Sequence, residues 1–156
     1  MREEMLAELA RDFKVSIWGL WKRRLVRDSI LNDCIVKDGF FTPEEMAHVF
    51  NRSQVVLNIH TWFGKWDFGL NPRVFEANGC GAFQLCDFKE EIEEHYEDGK
   101  EIVLYRSVSE LKEKLGYYLG HPGELAEIAE KGYVRTHRDH TCANRLAEMF
   151  ALCGLK

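Results

Sequence analysis

The stretch that decides the fold runs from Gln54 to Asp87 and reads QVVLNIHTWFGKWDFGLNPRVFEANGCGAFQLCD. Its first seven residues, QVVLNIH, are mostly apolar and rich in β-branched side chains, which predicts a strand covered on both faces. The run NPRVFEANG predicts a helix, with Asn71 as its N-cap, Pro72 as its first residue and a glycine at its end. AFQLCD predicts a second buried strand. A strand, a helix and a strand in this order indicate a parallel unit with a right-handed crossover.

The same alternation continues on both sides of this unit. FKVSIWG and NDCIV precede it and EIVLY follows it, and each of these short apolar runs predicts a strand. The strands are expected at Val15, Cys34, Val55, Ala82 and Ile102. Everything after Tyr105 is predicted to be helical. We therefore predict an α/β fold, a single Rossmann-like, doubly wound parallel sheet of about five strands with a helical C-terminal tail.

Length and composition indicate one domain over residues 1–156. Hydrophobic residues make up 46% of the chain, which is enough for a core, and the formal net charge of −5 argues against a nucleic-acid partner. No apolar run has membrane-spanning length, and the charged start MREEMLAELARDF lacks the apolar region of a signal peptide. We expect a cytoplasmic protein without a membrane span. The five cysteines include no C-x-x-C pair, so we expect neither a disulfide framework nor a metal site.

The predicted sheet places the candidate site in the loops that follow its strands, because open α/β sheets bind ligands beyond the carboxyl ends of the strands. These loops are Gly19 to Arg24, His60 to Asn71, and the residues around Asp87. Helix N-termini bind anions through free backbone N–H groups, and a bound anion would explain why Arg73 stands at the positive end of a helix. Glu76 lies on the same helical face and can accept hydrogen bonds from the hydroxyls of a ribose.

Each of these charged residues also has a simpler interpretation. Arg73 can form an ordinary salt bridge with Glu76 or with Asp67. Lys22 and Arg23 can add positive charge to the site from the first loop, or they can belong to a solvated surface run. Spacing alone does not decide between these alternatives.

The loop after the central strand raises a similar choice. His60 stands at the strand end, where it can bind a ligand or serve as a satisfied structural histidine. The aromatic residues between Trp62 and Phe68 can stack on a base or a sugar, or they can pack the loop onto the core. No G-x-G-x-x-G or P-loop motif appears, so a nicotinamide or P-loop nucleotide site is not indicated.

The stretch QVVLNIH…GLNPRVFEANGCGAFQLCD, followed by EEIEEHYEDGKEIVLYRSVSELKEKLGYYLGHP, resembles the C-terminal domain of group-1 glycosyltransferases of the GT-B fold. Within that family it is most similar to the branch called spore maturation protein CgeB-like. The resemblance extends over roughly Gln54 to Phe150 and is densest from Asn71 to Asp87. It implies that the chain is one half of a GT-B fold.

The resemblance also implies a ligand and roles for the site residues. The domain would bind a nucleoside-diphosphate sugar as donor, with Glu76 on the ribose hydroxyls. The backbone from Asn71 through Pro72 to Arg73 would face the diphosphate. Glu76 and Arg73 would be the catalytic residues, and no metal or other cofactor is expected.

The chain departs from the family pattern in two respects. Many relatives carry a first glutamate, in the pattern E-x7-E, near the donor sugar; counting back from Glu76 reaches Phe68, and Asp67 beside it is the candidate for sugar binding. Lys22 and Arg23 are candidates for the basic pair that relatives place on the diphosphate. GT-B enzymes also need an N-terminal acceptor domain, for which this sequence has no counterpart, so we expect binding without efficient transfer.

Two functions follow as hypotheses. The first is the donor domain of a glycosyltransferase, which would be an enzyme only when joined to its acceptor domain. The second is a non-catalytic Rossmann-like module that binds a nucleotide or a partner. A missing domain would leave an apolar patch exposed, so self-association is a further expectation.

Overall fold

The computed structural model describes residues 2–154. The chain divides into two compact units, Met1–His48 and Val49–Lys156, and helix α2 crosses the boundary between them. Among the described residues, no helix combines the length and the apolar character that a membrane span requires.

The first unit contains a helix and a pair of short parallel strands. Its elements are α1 (Arg2–Asp12), β1 (Ile17–Trp18), a 3₁₀ helix (Ile30–Cys34), β2 (Ile35–Lys37) and the start of α2 (Pro43–Arg52). α1 buries Met5, Leu6 and Leu9, whose spacing places them on one helical face. Thr42 caps α2, since its Oγ1 accepts the N–H of Glu45 and the Glu45 carboxylate accepts the N–H of Thr42.

The second unit contains a three-stranded parallel sheet with helices. Its elements after α2 are β3 (Val56–Asn58), α3 (Arg73–Gly79), β4 (Gln84–Asp87), α4 (Ile92–His95), β5 (Val103–Tyr105), α5 (Val108–Gly120), α6 (Pro122–Asp139) and α7 (Cys142–Leu152). The strand order is β3-β4-β5, with Val56 opposite Gln84 and Leu85 opposite Val103. Every residue of β4 and β5 is buried, as expected for parallel strands covered on both faces.

The predicted fold class is confirmed, with one correction to the sheet. All five strands are present and parallel, and three helices follow Tyr105. Their hydrogen bonds form a two-stranded sheet, β1-β2, and a three-stranded sheet, β3-β4-β5, rather than one continuous sheet. β1 has only two residues and its register with β2 shifts between Ile17 and Trp18, so it offers little edge for further pairing.

Helix α6 approaches the rest of the second unit closely at a glycine. An ideal Cβ built on Gly132 would lie 2.3 Å from the Glu101 carbonyl oxygen and 3.2 Å from Nδ2 of Asn78. The absence of a side chain therefore sets the distance at which α6 packs against the end of α3 and the turn before β5. One turn later Thr136 is buried, and its hydroxyl lies 2.8 Å from that of Tyr96.

Candidate functional site

Three buried ionisable side chains meet where β3 and β4 end. Oδ1 of Asp87 accepts the backbone N–H of His60 at 2.7 Å and lies 2.7 Å from its ring Nδ1, while Nζ of Lys89 lies 2.9 Å from Oδ2. His60, Asp87 and Lys89 are at most 1% exposed. Burial alone would raise the pKa of Asp87, but the hydrogen bonds from His60 and the ammonium of Lys89 outweigh it and lower that pKa. Asp87 is thus a carboxylate held charged inside the protein.

His60 joins this cluster to the start of α3. Its Nε2 lies 3.1 Å from the backbone nitrogen of Asn71 and accepts that N–H. Nε2 therefore carries no proton, and Nδ1 donates its proton to Asp87, which fixes the neutral tautomer. Neither ring nitrogen is free for a ligand in this arrangement. The structure favours the structural interpretation of His60, in which it positions the backbone of Asn71.

The side chain of Asn71 turns inward instead of capping the helix. It exchanges two hydrogen bonds with Asn58, at 2.9 and 3.1 Å, and Nδ2 of Asn58 also reaches Oε1 of Gln84 at 3.0 Å. α3 begins after Pro72 without a side-chain cap, and the Pro72 carbonyl accepts the N–H groups of Phe75 and Glu76. The N-cap prediction for Asn71 is wrong because a buried strand asparagine competes for the same amide.

Gln84 extends the inner network along α3. Its Nε2 donates to the Val74 carbonyl at 3.1 Å and to Oδ1 of Asn78 at 3.0 Å, and Nδ2 of Asn78 donates to the Glu101 carbonyl. Both amides are about 1% exposed. Buried amides with several partners fix one geometry, so this network holds α3 in a defined position on the sheet.

The start of α3 presents one uncommitted amide and two charged side chains. The Asn71 N–H is used by His60 and Pro72 has none, whereas the Arg73 N–H donates no hydrogen bond within residues 2–154. The Arg73 Nε lies 3.2 Å from Oε2 of Glu76, and the two side chains are 45% and 39% exposed. The predicted salt-bridge alternative is therefore present. Its partners remain accessible, and the Arg73 guanidinium also lies 5.2 Å from the ring centroid of Phe50.

Asp67 lies at a pocket on the carboxyl ends of β4 and β5. The pocket has a volume of about 240 Å³ and is lined by residues 63–67 together with Phe88, Tyr105 and Arg106. The Asp67 side chain is 60% exposed and its Oδ1 lies 3.9 Å from Nζ of Lys89. It forms no ion pair with Arg73 in the described structure, which decides that alternative in favour of Glu76.

Lys22 and Arg23 belong to the first unit, whereas the other candidate residues belong to the second. Both are exposed. The backbone N–H groups of Trp21 and Lys22 donate to Oδ1 of Asp38, at 2.8 and 3.1 Å, and these bonds lower the pKa of Asp38. Asp38 thus fixes the loop after β1, and the role of the two cations in ligand binding stays a prediction.

One buried group of side chains has the composition of a metal site. A ring nitrogen of His60, Sγ of Cys86 and a carboxylate oxygen of Asp87 lie within 4.8 Å of one another in the described chain. However, Nδ1 already donates to Asp87, and Lys89 supplies the positive charge. Burial raises the pKa of the Cys86 thiol, which disfavours the thiolate that a metal would require. The cluster is explained by its own charges, so we assign no metal to it.

Sequence reasoning did not identify Lys89, Asn58, Gln84 or Arg106. A lysine just after a strand is usually solvated, and only the spacing of Asp87 and Lys89, two positions apart, hints at a pair. Asn58 and Gln84 interrupt otherwise apolar strands, and this interruption is the signal that could have located the network. Arg106 directly follows β5, where strand-end position alone would have pointed to it.

Comparison with known proteins gives a consistent family. The profile of the family described as glycosyl transferase-like matches residues 2–151. The spore protein CgeB of Bacillus subtilis is 27% identical over 106 residues, which cover 60% of this chain and 31% of CgeB. The crystal structure of Anabaena Alr3699/HepE in complex with UDP superposes with a TM-score of 0.64 at 18% identity, covering 96% of this chain and 43% of that one. The chain therefore spans less than half the length of each relative.

Proposed function

Because the chain belongs to the glycosyl transferase-like family, we propose that it is the donor-binding half of a GT-B glycosyltransferase and binds a nucleoside-diphosphate sugar. The observation that carries the proposal is the accessible Arg73–Glu76 pair at the start of α3. The segment just before this pair is held in place by hydrogen bonds from Asn71 to His60 and to Asn58. The similarity of fold to Alr3699/HepE, which was crystallised in complex with UDP, supports it.

In this proposal Glu76 accepts hydrogen bonds from the ribose hydroxyls, and Arg73 turns from Glu76 towards the diphosphate. An exposed salt bridge typically stabilises a protein by about 0–1 kcal/mol, so opening it costs little. A guanidinium can hold two phosphate oxygens at once and can stabilise the charge that develops on the departing diphosphate. Of the backbone from Asn71 to Arg73, the Arg73 N–H is the group left to bind the diphosphate, since Asn71 gives its N–H to His60 and Pro72 has none.

Transfer itself requires more than these residues. The chain covers 31% of CgeB and 43% of the HepE chain, so an acceptor domain with its catalytic base is expected from outside this sequence. We therefore expect the chain alone to bind the donor and to transfer sugar poorly. Robust transfer by this chain alone would contradict that division of roles.

The experiment is a thermal-shift panel with UDP, GDP, ADP and dTDP on the wild type and on Glu76→Gln. Ligand at about a hundred times its dissociation constant should stabilise the wild type by roughly 2.7 kcal/mol. We expect one nucleotide to give this shift and Glu76→Gln to lose it. The matched control is Glu113→Gln, which changes an exposed glutamate on α5 and should retain the shift. A shift that survives Glu76→Gln would refute the ribose assignment.

A second candidate function is a partner-binding module, and the loop before α3 favours it. Trp66 and Phe68 are 46% and 59% exposed, with their rings nearly parallel and their centroids 5.7 Å apart. Exposed aromatic pairs are typical of protein-binding surfaces. This candidate predicts no shift with any of the four nucleotides. Self-association stays a prediction, for which Leu146, Met149 and Phe150 on α7 provide exposed apolar surface.

A further inference from the structure

We propose that the pocket at the ends of β4 and β5 holds a single sugar ring that carries a carboxylate. The pocket lies beside the loop that leads into α3, and the proposal rests on the proposed function in taking this ring to be the sugar of the donor. Its volume of about 240 Å³ is below the ~300–1,000 Å³ of clefts that hold drug-sized ligands, so one ring suits it better than a whole nucleotide.

The walls of the pocket are aromatic. Phe63, Trp66, Phe88 and Tyr105 line it, and the rings of Phe63 and Tyr105 pack against each other with centroids 5.7 Å apart. Aromatic faces carry partial negative charge and attract the polarised C–H groups on one face of a sugar ring. Such walls favour a ring over a bare anion such as phosphate, which would have no apolar face to bury.

The charges of the pocket favour an anionic ligand. Arg106 and Lys65 line it, and within residues 2–154 neither forms an ion pair. Asp67 is the single carboxylate of the lining, and it lies 3.9 Å from the ammonium of Lys89. The carboxylate of Glu110 accepts the Arg106 backbone N–H but pairs with Lys114 at 2.7 Å. Two cations that form no ion pair within residues 2–154 therefore face one partly compensated anion.

The guanidinium of Arg106 packs on an aromatic ring of the pocket. The central carbon of its guanidinium lies 3.2 Å from the ring centroid of Phe88, so the cation rests on that ring. A guanidinium packed through its face keeps the N–H groups of its edge available, and this edge matches the two oxygens of a carboxylate. Phe88 directly follows Asp87, so the platform is anchored to the buried cluster.

The test follows the tryptophan indole N–H signals of the ¹⁵N-labelled chain by NMR during titration with glucuronate, glucose or inorganic phosphate. The chain has four tryptophans, and Trp66→Phe assigns the signal of interest. We expect glucuronate to shift the Trp66 signal in a saturable way and glucose to bind at least about tenfold more weakly, because it lacks the charged hydrogen bonds. Equal responses to glucuronate and glucose, saturation by phosphate alone, or no saturable shift would each overturn the proposal.

The variants separate the pocket from a general charge effect. Arg106→Gln should weaken glucuronate binding at least about tenfold, and Lys65→Gln should weaken it less. Arg27→Gln removes the same charge at an exposed position that does not line the pocket and should bind as the wild type does. Dispersed spectra of each variant establish that it is folded. Unchanged glucuronate binding by folded Arg106→Gln would refute the proposal.

The nucleotide panel distinguishes this proposal from the proposed function. Stabilisation by UDP without any glucuronate response would overturn the pocket assignment and leave donor binding intact. A saturable glucuronate response without a shift from any nucleotide would support the pocket as a uronate site and refute the donor function. If both hold, UDP-glucuronate should bind more tightly than UDP, and Arg106→Gln should remove that gain while retaining UDP binding.

Discussion

The buried pair of Lys89 and Asp87 leads to a prediction about stability. Lys89→Met removes the ammonium that lies 2.9 Å from Oδ2 of Asp87 and keeps most of the apolar stem. The carboxylate then remains with only the two hydrogen bonds from His60, both at Oδ1, in a site with no solvent exposure. Breaking one partner from a buried ion pair typically costs about 3–5 kcal/mol, because the other charge is left uncompensated. We expect a loss in this range at pH 7.

The dependence on pH identifies the cause of that loss. In the wild type the folded-state pKa of Asp87 lies below its ordinary value of 3.8. The ionised carboxylate of Asp87 therefore stabilises the folded state above that pH, and this stabilisation is lost as the pH falls through the folded pKa. In Lys89→Met, burial should raise the folded pKa above the unfolded one, and protonation then favours the folded state. The cost of the substitution should therefore shrink as the pH falls from 7 towards about 4.

The assay is urea unfolding followed by circular dichroism, at a series of pH values, for the wild type, Lys89→Met, Asp87→Asn and the double variant. The double variant should recover part of the loss, since no unpaired charge remains. Lys100→Met is the matched control because Lys100 pairs with Glu97 at the surface, and it should give no measurable change. A cost below about 1 kcal/mol, or a cost independent of pH, would refute the assignment of a charged buried pair.

Two glycines and one glutamine give further predictions. Gly132→Ala should destabilise the protein by about 1–3 kcal/mol, because its Cβ would lie 2.3 Å from the Glu101 carbonyl oxygen. Gly116→Ala in α5 places its Cβ in open space and should stabilise the protein by about 0.5–1 kcal/mol. If thermal unfolding showed that both glycine variants stabilise the protein, or that both destabilise it, the close packing of α6 at Gly132 would be contradicted. Gln84→Leu should cost at least about 1–3 kcal/mol in urea unfolding, because buried partners such as Asn78 lose an amide. A neutral result would show that the network does not hold α3.

The fold could be predicted because its signals are local and continuous. The runs around Leu85 and Leu104 are mostly apolar, and the structure buries both strands completely. Thr42 and Ser107 cap their helices through bonds that span three residues, so a short window of sequence contains both partners. The division into two sheets depends on how far the short strands β1 and β2 extend, which apolar runs do not specify.

The interior of the site could not be predicted, because its partners are distant in sequence. Asn71 fits the N-cap pattern, yet it bonds Asn58, which is 13 positions away. His60 and Asp87 are separated by 27 positions, and they meet only because β3 and β4 are neighbours in register. The salt bridge between Arg73 and Glu76 is the exception, since partners three positions apart are visible in the sequence.

Two sets of polar groups lie near the strand ends: one set holds the site in place, and the other is free to bind a ligand. The buried set consists of His60, Asp87 and Lys89. These side chains form their hydrogen bonds with one another and with the backbone, so substitutions there should change stability first. Arg73 and Glu76 are accessible and joined by a weak surface pair, so substitutions there should change ligand binding first. A side chain that must rearrange to meet a ligand needs a backbone that does not move. The hydrogen bond from the Asn71 N–H, just before α3, to His60, and through His60 to Asp87, provides that fixed backbone.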